Sequence, residues 1–249
     1  MKKKEFLVLA AVALFLAPAA FGDIVSGTGG FQSWDVGNLN QNGTPYWDSV
    51  SSDGALKNVG YCISGTGACG MSGAPGVIPY YGTGVGGGAV SAFTFVKNSS
   101  GSQAAMQIEI AGNANSNIFG WYDVATNNKT QLFSGPQGAG AVAMFTPTAS
   151  YGFYLQTGSG TFYTNSGVGA DSGNQHFALF QQSAAVGSEV YWMGIEDLPF
   201  SSSDKDYNDM VIKLNSVAVP EPSSILGLGL GLGTVLFLLG TSLRRKRPE

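Results

Sequence analysis

The chain has 249 residues, with 37 Gly, 11% charged residues, 44% hydrophobic residues and a formal net charge of −4. That length fits one β-rich domain of generous size or two small ones, with enough apolar content for a core. No basic stripe is available to neutralise phosphates, which excludes an electrostatic nucleic-acid binder. Charge is segregated: seven of the twelve Lys and Arg stand at the two ends, leaving 13 acids against 5 bases between Asp23 and Val219.

The N-terminus opens on Met1-Lys2-Lys3-Lys4, continues through an apolar run from Phe6 to Ala17 and ends on Pro18-Ala19-Ala20-Phe21-Gly22. A basic start, an apolar core of about a dozen residues and small residues at the cut predict a signal peptide over 1–22, removed before Asp23. The run is too short for a membrane span of roughly 18–20 residues.

From Asp23 to Ser216 no segment keeps a 3.6-residue apolar period. Short apolar or alternating runs recur instead at Ala92–Val96, Met106–Ile110, Ile118–Val124, Ala141–Phe145, Tyr151–Gln156, Phe177–Gln181, Val190–Ile195 and Met210–Leu214. Such runs, rich in Phe, Tyr, Val and Ile and punctuated by turn formers, predict strands. The expected fold is all-β, an antiparallel β-sandwich or jelly roll over 23–216. The glycine-dense stretch from Gly60 to Gly88 predicts a long loop. It holds the only two cysteines, Cys62 and Cys69, whose expected state in an exported chain is a local disulfide.

Between Glu189 and Asp209 lie six carboxylates and a single lysine. Like charge at that density destabilises a fold unless something compensates it. Asp204, Asp206 and Asn208 stand at i, i+2 and i+4, which puts three oxygens on one face of a strand or wraps them round one point of a turn. Glu196 and Asp197 precede them and can fold back across the Leu198–Ser203 turn, and Asp209 follows. A set of hard oxygen donors without sulfur or imidazole suits Ca²⁺. The EF-hand loop is not matched, since its sixth position holds Asp209 and no Glu occupies the twelfth. The competing reading makes these residues Asx-turn and cap formers at a solvated hairpin.

His176 is the only histidine. A Ser-His-Asp triad would have to use it, yet no nucleophile-elbow pattern accompanies it, and one histidine excludes a His-rich transition-metal site. Glu109, Asp123 and Glu196 are formally available as a glycosidase pair, but nothing in their setting marks two of them, so no catalytic residue is expected. Trp34, Tyr46, Trp47, Trp121 and Tyr122 are candidate sugar platforms, against the alternative that they pack in the core; Trp192 is expected in the core.

At the C-terminus, Val219-Pro220-Glu221-Pro222 is held extended by its prolines. Twenty-one uncharged residues, 223–243, then suffice to span a bilayer as a helix. Arg244, Arg245, Lys246 and Arg247 follow, within a tail of 244–249, and the positive-inside rule keeps them cytoplasmic. This order of Pro-Glu-Pro, Gly/Leu-rich span and terminal Arg cluster resembles the PEP-CTERM sorting signal, the substrate of exosortase. Exosortase is a membrane cysteine transpeptidase of Gram-negative bacteria that make exopolysaccharide. The resemblance implies a sorting motif over 217–222, cleavage near Pro220–Pro222, loss of the helix and delivery to the cell surface or biofilm matrix. The stretch Tyr191–Leu214, with Glu-Asp-Leu-Pro and Ser-Asp-x-Asp-Tyr-Asn-Asp, resembles a poorly characterised domain of bacterial secreted and surface proteins, including calcium-rich adhesins. That resemblance implies a β-sandwich at the cell surface and Ca²⁺, and it supplies no activity. The expected function is structural or binding, with exosortase, the membrane and exopolysaccharide as partners. A carbohydrate-binding adhesin is the alternative, and a secreted glycoside hydrolase a distant one.

Overall fold

Strands with one buried face alternate in sequence between residues that pack and residues that face outward. The computed structural model describes residues 22–27, 46, 58–64, 69, 92–99, 101–109, 113–185 and 188–217, and over them that alternation builds two antiparallel sheets. The strands are β1 (Ile24–Gly27), β2 (Phe93–Val96), β3 (Gly101–Glu109), β4 (Ile118–Asp123), β5 (Lys129–Ser134), β6 (Val142–Phe145), β7 (Ser150–Thr157), β8 (Gly160–Tyr163), β9 (Phe177–Ala185), β10 (Ser188–Ile195) and β11 (Met210–Val217). One sheet runs β1-β2-β7-β4-β5, with β8 also paired to β7; the other runs β6-β3-β11-β10-β9.

Both sheets contribute every second residue to one core. Phe93, Phe95, Phe119, Phe133, Phe153 and Leu155 come from the first, and Met106, Leu179, Met193, Ile195, Met210 and Ile212 from the second. Its aromatic rings meet edge to face and offset, as Phe95 does with Phe153 and Phe119 with Phe153 at centroid distances of 5.3 and 5.5 Å. On the outer face of the first sheet, the Tyr122 ring lies across Gly152, where a Cβ would come within 2.5 Å of it.

The outer face of the second sheet is also apolar, with Ala178, Phe180, Trp192 and Val211 buried there under Tyr46, Val59, Cys62, Ile63 and Tyr207. Part of that cover is a six-residue helix, α1 (Val59–Ser64). The start of the expected 60–88 loop is therefore helical, a correction with a plain cause: Val59, Cys62 and Ile63 gain burial on the sheet that six residues of helix propensity alone would not supply. A disulfide joins Cys62 to Cys69, with Cα atoms 5.3 Å apart.

Among the described residues no helix is long and apolar enough to cross a membrane. The signal run, the sorting motif at 219–222, the apolar span at 223–243, the basic tail, Trp34 and Trp47 lie outside the described residues.

Candidate metal centre

The acidic stretch is the connection between β10 and β11, at one end of the paired sheets. Ile195 and Asn208 form a parallel bridge that closes the connection at its neck. Within it the chain curls: Lys205 and Tyr207 take positive φ values of 61° and 59°, so Asp204–Asn208 is no extended strand. Gly194 permits the close return, since a Cβ there would lie 2.6 Å from the Tyr207 carbonyl oxygen and 2.6 Å from Val59 Cγ2. The Asp206 carbonyl accepts a 2.9 Å hydrogen bond from the N–H of Val59, and the Tyr207 hydroxyl donates to the Gln175 carbonyl at 2.7 Å. The loop is thereby fastened to α1 and to the segment before β9.

Curling brings carboxylate oxygens of Glu196, Asp204 and Asp206 within 4.8 Å of one another. Glu196 is wholly buried and Asp206 is 1% exposed, while Asp204 is half-buried. The Tyr207 N–H donates to Glu196 Oε1 at 2.6 Å, and the Ser203 hydroxyl donates to Glu196 Oε2. Asn208 donates its N–H to Asp206 Oδ1 at 3.0 Å and its amide Nδ2 to Oδ2 at 2.5 Å. Burial pushes the Glu196 carboxyl up to about 8, reinforced by the charges of Asp206 and Asp204 and opposed by the bonds from Ser203 and Tyr207. Burial likewise raises Asp209 to about 8, with Glu196, Asp197 and Asp204 adding to it. A hard cation relieves repulsion of this kind, and an all-oxygen donor set fits Ca²⁺.

The six acidic-loop residues singled out in the sequence do not all meet at one point. Glu196, Asp204 and Asp206 converge, and Asn208 joins them through Asp206. Asp209 Oδ2 instead accepts the N–H of Asp197 at 2.9 Å. Asp197, 2% exposed, engages the other side of the loop, where its Oδ2 accepts from Asn117 Nδ2 at 3.0 Å. The same nitrogen reaches Glu109 Oε1 at 3.4 Å. Burial raises the Glu109 carboxyl to about 7, with the Asn117 bond lowering it and the Asp197 charge adding to the rise. Neither Glu109 nor Asn117 was marked as a ligand by the sequence pattern, nor was Ser203.

His176 is buried, with Nε2 3.1 Å from Asp171 Oδ2 and Nδ1 3.3 Å from the Glu196 carbonyl. Its ring stacks on Phe162 at 3.8 Å. Burial lowers its pKa despite Asp171, favouring the neutral ring. Asp171 also accepts the N–H of Phe200 at 2.7 Å, which pins the Leu198–Ser203 turn. The pair thus supports the acidic loop. Asp123 is committed to its own turn, accepting from the Thr126 N–H at 2.7 Å and hydroxyl at 2.9 Å. Of the candidate sugar platforms, Tyr46 and Tyr122 are buried and Trp121 packs half-buried at the edge of the core; Trp192 is buried beneath α1.

Residues 116–217 match the model of a domain of unknown function, DUF4114. That span runs from just before β4 to the end of β11 and includes the whole acidic loop, but not Glu109. No curated protein matches the chain. Among solved structures, the Chromobacterium violaceum lectin CV2L, in complex with alpha-methyl-fucoside, is similar with a TM-score of 0.31 and 11% identity, over 49% of this chain and 93% of that one.

Proposed function

We propose that the chain is an exported cell-surface or matrix protein whose β domain binds or scaffolds, stabilised by Ca²⁺ held at Glu196, Asp204 and Asp206. The observation that carries the ion is the convergence of these three carboxylates within 4.8 Å in a largely buried loop. Oxygens on opposite sides of a Ca²⁺ ion lie about 5 Å apart, so the three fit one shell. The ion's role is structural: it ties β10 to β11 and fixes the loop that packs Tyr207 against Tyr46, whose ring centroids are 4.4 Å apart.

Calorimetric titration of Ca²⁺ into the detergent-purified full chain, after chelator treatment, tests this. Saturable binding in the ~10⁻⁴–10⁻³ M range of extracellular modules, or tighter, is expected. Binding that survives the double change Asp204→Asn/Asp206→Asn undiminished would contradict it.

The address rests on the termini. A basic-apolar-small N-terminus reads as export, and Val219-Pro220-Glu221-Pro222 before the apolar span and Arg244–Arg247 reads as exosortase processing. In a host with exosortase, wild-type chain loses its C-terminal span and leaves the inner membrane. Changing Pro220, Glu221 and Pro222 to Ala is expected to hold it there at full length, as immunoblots of membrane and surface fractions would record.

A further inference from the structure

The two sheets end on different kinds of edge. β5, at one end of the first, opens on Lys129, Thr130 and Gln131, all exposed, and its register shifts against Phe119 and Gly120 of β4. Charge, polar side chains and a bulge keep a strand edge from taking on a further strand. β6, at one end of the second sheet, has none of the three. It reads Val-Ala-Met-Phe and pairs with β3 in unbroken register over its whole length. Among the described residues no strand lies on its other side.

One bond fixes the direction of its main-chain groups. The Met106 N–H of β3 donates to the Ala141 carbonyl at 2.9 Å. Main-chain bonding in an antiparallel pair alternates residue by residue. Ala143 and Phe145 therefore turn their N–H and C=O groups toward β3, while Val142 and Met144 turn theirs away from it. The side chains of Val142 and Met144 stand on the outer face, 59% and 62% exposed, the highest values among the large hydrophobics of the described residues. Phe145 and Ala143 pack toward the core instead.

Charge decides what can pair with this edge. Between Asp23 and Val219 acids outnumber bases 13 to 5, so two copies of the domain repel. No charged residue stands between Lys129 and Asp171, however, and β6 lies inside that run. A partner of opposite charge gains nothing on an uncharged edge, whereas a second copy meets no repulsion there. The spacing is also self-complementary. Set antiparallel about a two-fold axis at Ala143, one β6 places Val142 opposite Met144 of the second copy, and Met144 opposite Val142. Each such pair exchanges both N–H···O=C bonds and brings its apolar side chains together on one face.

We propose that β6 is a self-association edge: two copies of the chain join β6 to β6 across a two-fold axis, so that their second sheets become one continuous sheet. The contact closes on itself and gives a dimer, not a filament. It needs no ion in the acidic loop. So short a strand buries less than the ~1,600 Å² of a standard stable interface, and the association is expected to be weak and concentration-dependent.

Disulfide trapping on the detergent-purified full chain tests the register. Val142→Cys and Met144→Cys are prepared separately and mixed under oxidising conditions. In the dimer these positions face one another with Cα atoms about 5.5 Å apart, within reach of a disulfide. Like positions are diagonal neighbours about 7–8 Å apart, beyond that reach. A linked dimer is expected in the mixture at several-fold the yield of either variant alone. Sedimentation velocity should show wild type passing from monomer to dimer as concentration rises. Met144→Lys, which puts a charge on the edge, should raise the concentration needed by about tenfold or more. Val142→Lys serves in its place should Met144→Lys lose its near-UV circular dichroism. Equal yields of linked dimer in the mixture and in the single variants would overturn the proposal, as would wild type that stays monomeric up to its solubility limit. A wild-type dimer that Met144→Lys leaves unchanged, with no preference for the mixture in trapping, would place the contact elsewhere in the chain and overturn it too.

Discussion

Asp23 shows how much one buried carboxylate can organise. It is wholly buried, and its oxygens accept the N–H groups of Asn98 and Ser99, the Ser102 hydroxyl at 2.8 Å each and the Tyr151 hydroxyl at 2.7 Å. Burial alone would raise its pKa, but the bonds from Ser99, Tyr151 and Asn98 outweigh it and the value is lowered from 3.8. A carboxyl lowered on folding contributes stability above its unfolded pKa and loses it as pH falls through the folded value. Asp23→Asn, which faces an amide to these donors, is therefore expected to destabilise the domain by about 2–3 kcal/mol near neutrality. Denaturant titrations should also show a shallower loss of stability below about pH 4 in the variant. In the sequence Asp23 is simply the residue after the expected signal cut, because its partners stand 75 to 128 residues away. Glu109 was hidden for a related reason. Simple alternation from Ala104 and Met106 points residue 109 outward, and only the bulge at β11 turns it in. The loop acids were legible because Asp204, Asp206 and Asn208 are close in sequence; the split that sends Asp197 to Asn117 was not, because that contact spans 80 residues.

At the scale of elements, each of the eight apolar runs read from the sequence overlaps a strand: β2, β3, β4, β6, β7, β9, β10 or β11. The three strands missed are short or polar. β1 and β8 have four residues each, and β5 exposes its first three residues. Helix α1 escaped because six residues make under two turns, too few for a period to register. Tertiary contact and the disulfide hold it. Replacing Cys62 and Cys69 by Ser is expected to reduce stability by about 2–3 kcal/mol on the chain-entropy argument. It should also loosen α1 over Trp192, which is wholly buried, so tryptophan emission shifts to the red. Unchanged emission and stability would remove α1 from the account of the core.

Across the whole molecule, two facing sheets concentrate apolar contact between them and push the chemistry to one end, where strands stop and loops meet. Burial there sets a pH dependence. Glu196 and Asp209 rise from 4.5 and 3.8 to about 8. Carboxyls raised on folding stabilise the fold in acid and withdraw that contribution as pH climbs through their folded pKa. In chelator, melting temperature is expected to decline between about pH 5 and pH 8, and Ca²⁺ to flatten the decline. Differential scanning calorimetry across that range reads both curves.

The central claim is that the loop between β10 and β11 is a cation site and not a set of turn formers. Melting of the full chain near pH 8, in Ca²⁺ and in chelator, beside Asp204→Asn/Asp206→Asn, tests it most directly. At about 100 times the dissociation constant, one ion adds about 2.7 kcal/mol, or a shift of about 5–10 °C for a domain of this size. The account predicts that shift in wild type and a much smaller one in the variant. Equal melting temperatures with and without Ca²⁺ in wild type would return Glu196, Asp204 and Asp206 to ordinary turn chemistry.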